Sequence, residues 1–515
     1  MRGNSQGEFL MKIRRWPIVW ILLSVWSLLM MWSGPIPLRA QNAATLAASP
    51  GLEERLAALE QALQMMEARL AALESAPAVN ANAAAVQDAG ITLAALRQTV
   101  QTATAPVLPP EARSQQERPA PASSAIVTAS QDGFSIQSTD GRFRFTPHYQ
   151  FQIDGLFAAN ENGVPVSKTL IPRRVQPILE GTLFKYFNFR FLSDFARGQV
   201  SMRDAYMDIT LSPATIVRVG KFKTPFGWER MMSGFSMPLM ERSIATQLTP
   251  NRDLGIELHG EVQDGLVEYA AGVFNGVRDG GGDDFDPDGN KDFATRWIFR
   301  PFQLTPAKAL HGLALGFGSS IGTSEGTVTT PDMPDFQTSG RRTFFRYRTG
   351  PTEDETVLAD GRRFRISPQG GFYWKSVGIY AEYILSSQDV RLGAQQQTLS
   401  NRAWNATATY VLTGEKATPD GVVPYRPLDP RQGQWGAFEL AARYSELRAD
   451  NAAFPFFTDP EAARGARSWA VGLHWHFNKN VKLMLHYEQT DFMRNALGIR
   501  PSLEKLFIER IQLKF

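Results

Sequence analysis

The 515-residue chain contains no cysteine. Disulfides and thiolate-ligated metal sites are therefore excluded, and an exported bacterial protein can do without both. No charge of one sign dominates: 54 Lys and Arg stand against 51 Asp and Glu, a formal +3. A nucleic-acid binder would carry a concentrated basic excess. No Ser, His and acid share an outward strand face in the way an acyl-transfer site requires. No enzyme activity, cofactor or metal is assigned on these grounds. Long apolar runs are absent beyond the N-terminus, and the mean hydropathy is slightly negative. A bundle of membrane helices would be far more apolar, whereas a barrel need only present every second residue to lipid.

What is present begins with an export signal. Lys12, Arg14 and Arg15 precede an apolar run from Trp16 to Trp32, then Gly34, Pro35, Pro37 and a small-residue site at Ala40. Basic, apolar and breaker segments in that order predict a secretory signal peptide over residues 1–40. A retained anchor is the alternative, because the run approaches the ~20 residues that a span needs. Residues 41–74 hold a heptad stripe of Leu52, Leu56, Leu59, Leu63, Met66, Leu70 and Leu73. The spacing is that of a coiled-coil seam, and so short a helix favours pairing with copies of itself. Residues 75–130 are rich in Ala, Pro, Ser, Thr and Gln, a composition that predicts a flexible linker.

From about residue 131 the texture changes to period two. Phe143, Phe145, Tyr149, Phe151 and Ile153 alternate with Arg142, Arg144, His148, Gln150 and Gln152. Val471, Leu473, Trp475 and Phe477 alternate with Gly472, His474 and His476 in the same way. Successive strand side chains point to opposite faces. One face is thus oily and the other ionisable in strand after strand, which predicts a barrel with lipid outside and water inside. Sixteen strands are expected, starting near 142, 173, 187, 204, 215, 253, 266, 292, 310, 364, 377, 401, 434, 467, 481 and 507. Short turns should alternate with long loops such as 223–252, 276–291, 320–363 and 448–466. The connection 413–433 fits this rule badly, being long where a short turn is due. At 477–481 only a three-residue loop, placing Phe477 opposite Val481 and Gly472 opposite His486, keeps oily residues opposite oily ones. The last strand closes on Phe515, with Glu509 breaking its lipid-facing row.

Residues 131–515 resemble the phosphate-selective porin O and P family. The resemblance is carried by RVGKFKTPFGWERMMSGFSMPLMERSIATQL at 218–248 and NRDLGIELHGEV at 251–262. AAGVFNGVRDGGG (270–282), RPF (300–302), YVLTGEK (410–416), GVVPYRPLDP (421–430) and GAFELAARYSEL (436–447) add to it. The resemblance implies a sixteen-stranded, usually trimeric pore in the Gram-negative outer membrane. It implies passage of small anions, phosphate in the best-known members, with lipid and lipopolysaccharide around the barrel. It further implies that the loop 223–252 folds into the lumen and narrows it.

Passive permeation needs fixed charge at a constriction, and Arg or Lys rings favour anions. Within and beside the loop, Arg218, Lys221, Lys223, Arg230, Arg242 and Arg252 are the candidate anion-contacting residues. The competing reading is that each is neutralised across the wall, since Asp154, Asp194, Asp208, Glu257, Glu439 and Glu488 also point inward by parity. Two other constellations receive plain readings. Asp284, Asp286, Asp288, Asn290 and Asp292 resemble the start of a calcium loop, but Thr295 stands where Glu is needed and Pro287 interrupts, so a solvated loop is expected. His474, His476 and His486 share one inward face, with Lys482 opposite His476 disfavouring a cation. A mainly structural barrel tethered by its coiled coil, and a non-selective, cation or sugar channel, stay open as alternatives because the lumen charge is mixed.

Overall fold

A computed structural model describes residues 125–515, except 132, 161–164 and 287. The signal, the heptad stripe and most of the linker lie outside the described residues. Twenty strands are present. They are β1 Ala125–Ser130, β2 Gly133–Ser138, β3 Arg144–Asn160, β4 Pro165–Leu183, β5 Phe187–Asp194, β6 Ser201–Ser212, β7 Thr215–Lys223, β8 Arg252–Val262, β9 Val267–Phe274 and β10 Asp292–Phe299. There follow β11 Leu313–Glu325, β12 Phe336–Gln337, β13 Thr343–Phe345, β14 Leu358–Trp374, β15 Val377–Leu392, β16 Gln395–Val411, β17 Ala437–Arg448, β18 Gly465–His476, β19 Val481–Phe492 and β20 Glu504–Lys514.

Sixteen of these, β3–β11 and β14–β20, pair in succession and antiparallel. The ring closes where β20 pairs with β3, with Ile511 opposite Ile153 and Arg510 opposite Asp154. Closure leaves no free edge within the sixteen-stranded ring, and it returns both ends of the barrel to one rim, here the terminal rim. All sixteen expected strands occur, with β4 beginning at Pro165, ahead of the expected 173. The β18–β19 hairpin has the expected register, with Gly472 opposite His486 and Trp475 opposite Leu483. The linker boundary shifts, because Ala125–Ser130 already forms an exposed hairpin with β2.

The outer wall is an oily girdle. Trp297, Phe317, Ile379, Trp404, Tyr444, Trp469 and Ile511 are all exposed, and rings stack between adjacent strands, as in Tyr269 on Trp297 with centroids 5.6 Å apart. Their inward neighbours are polar: Asn405, Ser445, His474 and Glu488 are each 1% exposed or less. The alternation of loop lengths is broken in several places. Residues 393–394 make a tight turn at the distal rim, while 412–436 is long at the terminal rim. There Val411, Ala417, Val422 and Ala437 form a small apolar cluster of their own, which gives the long segment something to pack on.

Two local irregularities position the lumen charges. On β4 the register slips between Gln152–Arg174 and Ile153–Pro172, leaving Arg173 as an extra residue. On β6 it slips between Leu192–Asp204 and Ser193–Met202, leaving Arg203 extra. A bulge of this kind bends the strand and re-aims a side chain.

Candidate pore constriction

The connection 224–251 enters the barrel. It contains a single helical turn, α1, Trp228–Met231, and a 3-10 segment Ile244–Leu248. The backbone amides of Trp228 and Glu229 donate to the Glu382 carboxylate on β15, at 2.7 and 3.2 Å. Glu229 in turn accepts from Ser243 Oγ at 2.6 Å and from Arg443 on β17 at 3.2 Å. Arg510 on β20 donates to the Met240 carbonyl at 2.6 Å. Leu239 packs against Ala441 and Ala470. The loop is therefore seated on the β15–β20 side of the bore.

A second segment, 326–357, also reaches inward, which sequence reasoning did not anticipate. Its hairpin β12–β13 places Ser339 Oγ 2.9 Å from Glu488 on β19, and Thr338 Oγ1 2.9 Å from Glu504 on β20. Phe336, Phe344, Phe345, Tyr347, Phe454 and Phe457 meet in a common apolar cluster beside it. Together the two segments fill one side of the lumen. These contacts join residues 149 and 166 positions apart, so no local pattern announces them.

On the opposite side an open cavity of about 360 Å³ remains. Its lining includes eight arginines and one lysine (Arg173, Arg174, Arg190, Arg203, Arg218, Lys223, Arg230, Arg242 and Arg252) but only two carboxylates, Asp194 and Asp204. Five of the six expected residues thus converge here. Lys221 does not: three residues on from Arg218, it takes the other face of β7 and pairs with Asp284 in the 275–291 connection. The expectation for Lys221 is corrected accordingly.

The converging cations differ in how they are held. Arg218 donates to Asp208 at 2.7 and 2.9 Å and lies over the Tyr206 ring, 4.1 Å from its centroid. Arg252 donates to Asp204 at 2.6 Å. Arg190 pairs with Glu180 and Asp204, and Arg173 with Glu241. By contrast, Lys223 Nζ donates only to the carbonyls of Met231 and Met232, at 3.1 and 2.8 Å. Arg230 donates to Thr249 Oγ1 and the Thr246 carbonyl, and Arg242 to the carbonyls of Glu229 and Met232. Arg174 donates to the Gln152 side chain at 2.5 Å. Among the described residues no carboxylate lies within ion-pair distance of Arg174, Lys223, Arg230 or Arg242. Carbonyl acceptors orient a cation without cancelling its charge. Burial, and next the like charge of Arg242, push the Arg230 guanidinium down to about 9, still cationic at neutral pH.

Arg173, Arg174 and Arg203 were missed by strict parity, which turns every second residue to lipid. The readable signal was Pro172 directly before an Arg pair, since proline within a sheet marks an edge or a bulge. Opposite charges on the wall were legible, and several pair as expected: Arg510 with Asp154 at 2.6 Å, Arg443 with Glu488 at 3.1 Å. The calcium-like run is dispersed. Asp284 meets Lys221, Asp286 meets Lys291, Asp288 accepts from the amides of Asn290 and Glu325, and Asp292 meets Arg363 and Arg365.

A closed antiparallel cylinder with an oily exterior, a charged bore and an infolded loop defines a porin, a channel of the Gram-negative outer membrane. The family model for phosphate-selective porin O and P matches residues 145–497. The chain belongs to that family. Solved structures with a similar fold include the outer-membrane channel DcaP of Acinetobacter baumannii, at 9% identity and TM-score 0.48 over 74% of this chain and 99% of that one. An anion-selective porin from Comamonas acidovorans is similar at 9% identity and TM-score 0.45, over 72% and 100%. A loop-deletion form of OmpT from Vibrio cholerae is similar at 10% identity and TM-score 0.46, over 73% and 100%. No curated protein sequence matches the chain.

Proposed function

We propose that the protein is an anion-preferring porin that passes small inorganic anions, phosphate among them, by diffusion through the basic cavity. The observation that supports this most is the imbalance in the cavity lining, nine cationic side chains to two carboxylates, four of the nine without an acidic partner. Arg presents a rigid fork of donors suited to phosphate, and Lys a movable point charge. Lys223, Arg230, Arg242 and Arg174 are the principal anion contacts in this reading, with Arg252 and Arg218 contributing through the residual field of their pairs. The barrel assembles as a homotrimer. The terminal rim and the heptad segment face the periplasm, and the distal loops face the lipopolysaccharide layer.

The test is chloride current through the protein in planar bilayers, with phosphate added to one side. Phosphate should reduce the chloride current in a saturable manner. A chloride current indifferent to phosphate removes phosphate from the reading, and a current carried chiefly by potassium overturns the anion preference.

A further inference from the structure

Six histidines occur in the chain, and three of them share the inward face of the β18–β19 hairpin. Two converge on one carboxylate. Glu439 Oε2 lies 3.1 Å from His474 Nδ1 and 3.0 Å from His476 Nε2. Glu439 and His474 are direct partners across the β17–β18 ladder, and His476 is the next inward residue along β18. All three are buried, and one ligand atom from each falls within 4.8 Å of the others. None of them lines the basic cavity.

Hydrogen bonding to Glu439 engages one nitrogen of each ring. A neutral imidazole has one N–H, so if His474 donates from Nδ1 to Glu439, its Nε2 is left as a bare acceptor. That Nε2 is buried without a hydrogen-bond partner. A metal ion bound through Nδ1 would leave the ring proton on Nε2, so it is the three-ligand geometry itself that favours a metal. Around a tetrahedral zinc with bonds of about 2.0–2.1 Å, ligand atoms sit roughly 3.3 Å apart, near the nitrogen–oxygen separations at Glu439. Two imidazoles and one carboxylate are donors suited to zinc, copper or nickel rather than to magnesium or calcium. Glu415, buried in the long 412–436 segment, lies close enough to His476 to interact with it electrostatically. Lys482 opposes a cation, standing opposite His476 in the ladder and within electrostatic reach of Glu439. Two carboxylates thus offset one ammonium.

We propose that Glu439, His474 and His476 form a divalent transition-metal site of the zinc class on the inner wall near the terminal rim. The site ties β17 to β18 where the 412–436 segment covers them. It does not depend on the anion reading, because it uses none of the cavity residues.

Untagged protein, folded in detergent, should be dialysed against zinc, and bound metal measured by mass spectrometry beside isothermal titration. The expected result is one saturable zinc per protomer. H476A and E439Q should weaken it by roughly tenfold or more, the scale of changes at a metal's immediate surroundings. H486A, on the same hairpin face but outside the cluster, should retain zinc, and K482M should bind it more tightly. Assembly of each variant is checked by its heat-sensitive migration; if H476A fails to assemble, H474Q asks the same question. Zinc that binds H476A and E439Q as well as the natural chain overturns the assignment. So does a natural chain without stoichiometric zinc, whether or not K482M binds it.

Discussion

The guanidinium of Arg443 on β17 lies 3.2 Å from the carboxylate of Glu229 at the first turn of the infolded loop, and each side chain is 1% exposed. This pair joins the wall of the barrel to the element that narrows it. Glu488 accepts from the other arm of the same guanidinium at 3.1 Å, so the loop is seated on a charge network and not on a lone contact.

Breaking a buried pair by removing one partner leaves the other charge uncompensated, at a cost of about 3–5 kcal/mol. E229Q should therefore unseat α1 and lower the temperature at which the folded barrel loses its compact migration. Single-channel recordings should show a larger and noisier conductance than the natural protein. Unchanged conductance in a folded E229Q barrel would mean that the loop is held by its other contacts.

Neutralising an unpaired lumen cation should cost selectivity, and neutralising a paired outward one should not. A unit charge acting over about 4 Å through water is worth about 1 kcal/mol, or roughly a fivefold change in relative permeability at most. R230Q and R242Q should each move the reversal potential toward zero within that limit. K221Q, whose lysine is engaged by Asp284 outside the cavity, should leave it where it is.

The strand pattern was readable because the membrane enforces it. Lipid on one side and water on the other demand strict alternation, and residues such as Trp469, Val471 and Trp475 record it. The loop 224–251 was readable through its resemblance to known relatives. The bulge at Arg173 was marked only by the proline before it, and the one at Arg203 was not readable, because an extra residue changes the facing of its neighbours without changing composition. Nor were the inward contacts of Ser339 and Thr338, which depend on strands more than a hundred residues away in sequence.

That difference is testable by deletion. Removing Arg173 should straighten β4 and leave the facing of the flanking residues intact, so the barrel assembles with reduced anion preference. Removing Arg190, which lies in regular ladder opposite Glu180 and Tyr206, shifts everything beyond it to the wrong face. That protein should fail to assemble, as judged by heat-sensitive migration and protease resistance.

The C-terminal residue closes the seam. Phe515 exchanges backbone hydrogen bonds with Tyr149, at 2.8 and 3.0 Å, and its ring meets Phe134 and Tyr149 at centroid separations of 6.5 and 5.9 Å. Deleting it removes both bonds and both ring contacts at the join between the first and last barrel strands. The fraction of folded barrel recovered in detergent should fall, with the single-channel conductance of the recovered molecules unchanged.

The most direct measurement is the reversal potential of the natural protein in a planar bilayer under a KCl gradient. Uncancelled positive charge around the cavity predicts chloride permeating faster than potassium. It also predicts that this preference weakens as the salt rises from about 0.1 to 1 M, where the screening length shrinks from about 10 to 3 Å. A potential of the opposite sign, with potassium the faster ion, would contradict the account.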